Sequence, residues 1–271
     1  MKRVLIGLYL SINLCLVLAL PRQSLTIGDH KLNYYKVGHG KPVVLIMGYG
    51  LTNNFWPKPF INCLSQNHTI YILDYIRVAK PDMDLMADEV HAFINRTDLD
   101  HPEVIGWSMG GGIALALANK YPYSVSKLGL ISTVVAEPSI SQIVTPYASK
   151  DNSTDDKLNY IFGNNIHNYQ PKNLAKYKKE MLSGNVFVDN KTLNSQKAVL
   201  ANWMSNSENS TMVRHLKIPM NVIIAKYDAI LNPQVELQVF QNHPKARVTI
   251  VDSGHGSFYE APQQVCEAVL N

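Results

Sequence analysis

The sequence predicts an α/β fold with a mostly parallel central sheet, helices on both faces and a helical cap insertion. Three observations carry that expectation. Short, largely apolar runs recur at residues 43–47, 69–73, 102–105, 128–131, 220–225 and 247–251. Runs that do not alternate with polar residues mark strands buried on both faces, the usual condition in a parallel sheet. Stretches of helical spacing separate several of them, and strand–helix alternation builds parallel units. Finally, 46% hydrophobic against 17% charged residues in a chain of 271 supplies the core of one sizeable domain.

The first segment departs from this pattern. Lys2 and Arg3 precede an apolar run over residues 4–20, broken only by Ser11 and Asn13. A basic start followed by an apolar stretch is the layout of a secretory signal, with Val17 and Ala19 offering small residues for cleavage near Leu20. A run of about 17 residues is also close to what an uncleaved bilayer anchor needs. The expectation is an exported protein, periplasmic or secreted, with a signal (or anchor) at 1–20 and one domain over 21–271. A lipoprotein site at Cys15 is disfavoured, because Leu14 stands where a small residue belongs.

Residues 25–37 read as two short strands around Gly28-Asp29. The strand at 43–47 ends in Gly48-Tyr49-Gly50, and a helix follows over 56–66. The strand at 69–73 leads to Asp74-Tyr75 and then to a helix over 83–94, with Leu85, Met86, Val90 and Phe93 at helical spacing. The alternation lapses from 136 to 215, a stretch rich in Asn, Ser and Lys but carrying Tyr147, Tyr160, Phe162, Tyr169, Tyr177, Met181, Trp203 and Met204. A structureless loop of that length is improbable in a compact domain, so it reads as a helical insertion over the sheet's edge, some of its aromatics turned down onto the sheet. Alternation resumes with strands at 220–225 and 247–251, and a closing helix covers 263–270.

The centre of the chain is Val104-Ile105-Gly106-Trp107-Ser108-Met109-Gly110-Gly111-Gly112. An apolar run ends in Gly-x-Ser-x-Gly, and an Ala- and Leu-rich helical run over 113–119 follows at once. Strand, tight turn and helix in that order form a nucleophile elbow, in which the serine takes a strained backbone and stands clear of the sheet. Glycines two residues to either side fit a strand and a returning helix too close for a Cβ. The competing reading is a phosphate loop, but no Lys follows the glycines in the required position.

A serine hydroxyl needs a base, and the base needs an orienting carboxylate. Both stand after buried strands in the order Ser108, Asp228, His255. Among nine histidines, His255 alone lies between glycines directly after a buried strand. His39 and His243 read as solvent-facing, Asp228 could instead cap a helix, and Glu137 is the fallback acid. Oxyanion donors would be the backbone N–H groups of Met109 and Tyr49. No metal-ligand spacing and no dinucleotide fingerprint appears, so no cofactor and no metal is expected. The net charge of +4 is modest, and the cluster Lys172, Lys176, Lys178 and Lys179 reads as a solvated face rather than a nucleic-acid footprint.

On these residues the chain resembles the α/β-hydrolase superfamily, and most nearly its small bacterial esterase-like serine hydrolases. The resemblance rests on Val43 through Gly50 with Trp56 after it, on Gly106 through Gly111, on Ile218-Pro219 and on Gly254-His255-Gly256. It implies Ser108 as nucleophile, Asp228 as acid, His255 as base, Tyr49 and Met109 as oxyanion donors, and a small-molecule ester as substrate, with no nucleic acid and no stable membrane partner beyond an N-terminal anchor. Met47-Gly48 stands where the family usually carries His-Gly, and residues 75–80 replace its usual Arg-Gly-x-Gly-x-Ser turn. Removing the signal leaves Cys63 and Cys266, which are either a disulfide or two buried thiols; the family's fold puts their helices on one sheet face and so allows the pair to join. Five Asn-x-Ser/Thr sequons, at Asn67, Asn95, Asn152, Asn190 and Asn209, matter only in a host that glycosylates. The same residues can run C–C hydrolysis, peptidase work or acyl transfer, and the altered turn after Asp74 keeps open a catalytically idle fold that binds a ligand or partner.

Overall fold

The strands pair in the order β1 (Gln23–Ile27), β2 (His30–Gly38), β4 (His68–Leu73), β3 (Lys41–Ile46), β5 (Glu103–Trp107), β6 (Lys127–Ile131), β7 (Met220–Ala225), β8 (Ala246–Val251). Pairing is antiparallel for β1–β2 and β2–β4, and parallel from β4 onward. This is a computed structural model, and it describes residues 20–74, 80–136, 153–164, 166–206 and 208–271. Residues 1–19 of the segment expected to be a signal or anchor, residues 75–79 of the turn after Asp74, Glu137, Tyr147 and the sequon at Asn152 therefore lie outside the described residues.

Burial follows the sequence pattern. Val43 to Ile46, Ile70 to Leu73, Val104 to Trp107 and all of β7 are buried, whereas β8, at the sheet's edge, leaves Ile250 exposed. The step from β3 to β4 runs opposite to the steps from β4 to β5 and from β5 to β6. Right-handed crossovers then put α1 (Lys58–Leu64) on one face and α2 (Met83–Arg96) and α3 (Met109–Lys120) on the other. The packing agrees: α2 lies on α3, and α1 lies against α10 (Pro262–Leu270). Pro57 caps α1, so this helix starts two residues later than the spacing suggests, and Trp56 is buried beside Phe60 and Phe258. Two short helices went unread in the sequence: α8 (Pro233–Phe240), capped by Asn232, and α9 (Ser257–Glu260).

Between β6 and β7 lie α4 (Thr154–Ile161), α5 (Leu174–Ser183), α6 (Asn190–Ser205) and α7 (Glu208–His215). Among the described residues no helix is long and apolar enough to cross a membrane. These helices join the sheet's loops through hydrogen bonds and stacked rings. Gly256 N–H donates to Ile161 O at 2.9 Å, and Tyr169 stacks on Tyr227 at 4.1 Å between centroids. The Tyr169 hydroxyl donates to Glu260, whose other oxygen accepts Gly254 N–H at 2.8 Å. Below, Phe162, Tyr177 and Tyr259 form a ring cluster. Within the lysine cluster, Lys178 is half-buried and paired with Asp155 at 2.6 Å, while Lys176 is exposed. His243 departs from expectation: it is buried, and its Nδ1 accepts Lys245 N–H at 3.1 Å, a local turn that draws the ring inward; burial holds its pKa down.

Cys63 of α1 and Cys266 of α10 form a disulfide across a sequence separation of 203. Because it closes most of the chain into one loop, it restricts the unfolded state strongly, and bonds of this kind typically contribute about 2–4 kcal/mol. Cys63→Ser, or reduction, is expected to lower Tm by roughly 5–15 °C. An unchanged Tm in reductant, or both thiols alkylating without reduction, would remove the bond from the account.

Glu260 supplies a pH dependence. Burial, which outweighs the lowering effect of its hydrogen bonds, pushes its carboxyl up from the ordinary 4.5 to about 7. The folded state thus binds more protons than the unfolded state between these values, so stability falls as pH rises through that window. Tm is expected to decline from pH 5 to pH 8 in the wild type and to decline less in Glu260→Gln; equal slopes in the two would sink the assignment.

Candidate active site

The site is built on the turn between β5 and α3. Ser108 has φ 56° and ψ −117°, a conformation rarely adopted by a residue with a Cβ. The close approach of strand and helix sets it. A Cβ on Gly106 would lie 2.2 Å from Gly110 O, and one on Gly110 would lie 2.3 Å from Ile46 O. Glycine is therefore required at both positions. Backbone bonds fix the turn from the neighbouring strand: Ser108 N–H donates to Ile131 O at 2.9 Å, and Val134 N–H donates to Ser108 O at 3.2 Å. Helix α3 starts at Met109, earlier than its apolar spacing indicates, and all residues from Met109 to Ala118 are buried. The Met109 N–H belongs to the first turn, where helix N–H groups have no intrahelical partner.

Asp228 follows β7 and His255 follows β8. His255 Nδ1 lies 2.6 Å from Asp228 Oδ2, and the two side chains are each only 2% exposed. The second carboxylate oxygen accepts the N–H groups of Ile230 and Leu231, both at 2.8 Å, so the acid is oriented from both sides. Nδ1 therefore faces the carboxylate, which leaves Nε2 for other work. The Trp107 indole N–H donates to His255 O at 2.9 Å, tying the histidine loop to the residue before the serine. Trp107 also stacks on Phe55 at 5.0 Å.

Tyr49, Trp107, Ser108, Val134, Leu200, Ile230 and His255 line one cavity of ≈ 10 Å³, space for about a single water. Of the five residues singled out in the sequence, three, Tyr49, Ser108 and His255, thus line this cavity, with Asp228 paired to the far nitrogen of the His255 ring. Met109, the residue after Ser108, is 1% exposed. Tyr49 is buried, and that burial raises its hydroxyl pKa to about 12, so the side chain is neutral across the physiological range. Its far side borders a second cavity of ≈ 160 Å³ lined by Lys157, Phe187 and Leu193. A larger cavity, ≈ 260 Å³, opens near Pro57, Tyr177 and Glu260 and touches neither Ser108 nor His255. His39 is exposed and away from these residues. No group of three or more potential metal ligands occurs among the described residues.

Glu236 is a supporting residue that sequence reasoning missed. It is 1% exposed, and its Oε1 accepts Thr133 N–H at 2.7 Å. Burial raises its carboxyl well above the ordinary value, and the nearby Asp228 charge adds to this. Thr133 in turn packs where a side chain on Gly111 would fall, so the buried acid braces the elbow from behind. The signal was present: Glu236 stands three and four residues before Val239 and Phe240, on the buried side of α8. Trp107 left a fainter one, a buried indole N–H that must find an acceptor.

Residues 41–262 match a family model described as alpha/beta hydrolase fold. A relative from Bacillus subtilis (strain 168), "AB hydrolase superfamily protein YisY", is 23% identical over 248 residues, covering 84% of this chain and 90% of its own. Among solved structures, an alpha/beta hydrolase fold protein from Chitinophaga pinensis aligns with a TM-score of 0.77 at 17% identity, covering 92% of this chain and 95% of the other. A thermophilic esterase from Thermogutta terrifontis aligns with a TM-score of 0.69 at 19% identity, covering 92% and 97%. With the family model spanning most of the chain and the sheet order, elbow and loops arranged as described, this protein belongs to the alpha/beta hydrolase fold family.

Proposed function

We propose that the protein is a serine hydrolase that cleaves carboxylic esters through an acyl-enzyme. The observation that carries this reading is the buried 2.6 Å pair of His255 Nδ1 and Asp228 Oδ2 opening onto the cavity that Ser108 also lines. In the proposed cycle His255 Nε2 takes the Ser108 proton as Oγ attacks the ester carbonyl, then returns it to the leaving alcohol. Water repeats the sequence on the acyl-enzyme. Asp228 holds the tautomer and stabilises the imidazolium. The N–H groups of Met109 and Tyr49 receive the developing oxyanion, each donor contributing about 3 kcal/mol to the barrier reduction. No cofactor takes part. The cavity's size and its apolar walls, Val134, Leu200 and Ile230, favour a small acyl group.

Export belongs to the same proposal. Lys2-Arg3 before an apolar run supports it, and so does a disulfide, since such bonds persist in oxidising compartments.

p-Nitrophenyl esters from acetate to palmitate test the chemistry. Turnover is expected to be greatest on the short acyl chains, to vanish in Ser108→Ala together with fluorophosphonate labelling, and to fall roughly 10³- to 10⁴-fold in Asp228→Asn. A folded protein that neither turns over any ester nor takes the label would return the idle-fold reading. For export, fractionation of cells expressing the full chain is expected to recover it outside the cytoplasm, and recovery wholly within the cytoplasm would remove that part.

A further inference from the structure

The loop that carries Tyr49 is held from above. Gly50 N–H donates to Gln196 Oε1 at 2.8 Å, and Gln196, on α6, is 5% exposed. The next contacts are backbone to backbone: Val188 N–H donates to Gly50 O at 3.1 Å and Thr52 N–H donates to Val186 O at 2.7 Å, bridging Leu51 and Phe187 as in an antiparallel pair. Side chains extend the seam, with Thr52 Oγ1 donating to Asn185 O and Asn54 Nδ2 to Gly184 O, both at 3.1 Å. Of these, the Gln196 contact is the one made by a side chain to the residue next to Tyr49.

We propose that Gln196 is a positioning residue for ester hydrolysis, fixing the Tyr49–Gly50 peptide so that the oxyanion-side loop keeps its working geometry. This rests on the serine-esterase reading above. The physical case has three parts. Gly50 has φ 77°, where glycine moves freely, so its peptide needs an outside restraint to stay in one orientation. A backbone N–H can only donate, so the partner atom of Gln196 is its carbonyl oxygen, and without it a buried donor loses its acceptor. Helix geometry completes the case: Leu193, Gln196 and Leu200 follow at i, i+3 and i+7 on one face of α6. Leu193 Cδ1 would lie 3.0 Å from a Cβ on Gly50, and Leu200 lines the Ser108 cavity. One helix face thus covers the loop and the serine together.

The test pairs Gln196→Leu, which keeps the volume but removes the acceptor, with Gln196→Glu, which keeps an acceptor oxygen. In Gln196→Leu, kcat on a short p-nitrophenyl ester is expected to fall roughly 10- to 100-fold with KM changed less than about twofold. Gln196→Glu is expected to regain most of that loss. Amide exchange at Gly50, followed by NMR on 15N-glycine-labelled protein, is expected to quicken in Gln196→Leu but not in Gln196→Glu, with exchange at Gly129 in β6 unchanged. Unchanged kcat in folded Gln196→Leu, a rise in KM at constant kcat, or unchanged Gly50 exchange each overturns the proposal. A wild type without turnover or fluorophosphonate labelling overturns instead the esterase reading and the catalytic part built on it, while Gly50 exchange still decides whether Gln196 holds the loop.

Discussion

The structure depends on the packing distance between β5 and α3. Glycine at 106 lets β5 and the returning helix meet at a separation that excludes a Cβ, glycine at 110 does the same for that helix against Ile46 of β3, and Ser108 takes positive φ in the turn between them. Strain of this kind costs of order 1–3 kcal/mol and lasts only where the surroundings over-determine it. Here they do so from three sides. Backbone bonds from Ile131 and Val134 hold the serine, Trp107 anchors it to the histidine loop, and Glu236 fixes Thr133 behind the helix. The buried sheet is the stiff frame against which this turn is braced.

The same frame explains why the candidate residues converge although they are far apart in sequence. Parallel strands all end on one edge of the sheet, so Tyr49 after β3, Ser108 after β5, Asp228 after β7 and His255 after β8 arrive at one rim. What topology cannot supply is orientation. The remaining polar contacts do that: two backbone N–H groups turn the Asp228 carboxylate, and Glu260 holds Gly254 just before the histidine. Such groups are buried with partners, as they must be, and each satisfied bond removes a freedom from a loop.

This division also separates what was legible in the sequence from what was not. Strands buried on both faces write continuous apolar runs, so β3 to β7 could be read to within a residue or two. Gly-x-Ser-x-Gly encodes a backbone constraint, so the elbow could be read as well. Helix α8 carries its polar cap, Asn232, and a buried acid within eight residues, a pattern too short and too mixed for periodicity to reveal. His243 turned inward because of a local turn with Lys245 that no spacing rule describes. Gln196 was invisible for a different reason. Its partner lies 146 residues away, and a polar side chain in an Asn- and Lys-rich helix looks like surface until the fold shows what covers it. Cys63 and Cys266 were visible as residues, but their union required knowing that α1 and α10 share a face.

Access to the serine and order at its rim are then not independent. The cavity holds about one water, so the ester substrate proposed above would reach Ser108 only if a wall gave way. Leu200 is one such wall, and it stands on α6, one turn beyond Gln196. A helix moves as a unit, so a displacement of α6 that enlarges the cavity also draws the Gln196 oxygen from Gly50. On the opposite rim, Tyr169 and Ile161 tie the same inserted helices to Gly254 and Gly256 on either side of His255. The Tyr49 loop and the histidine loop are thus both held by the segment between β6 and β7.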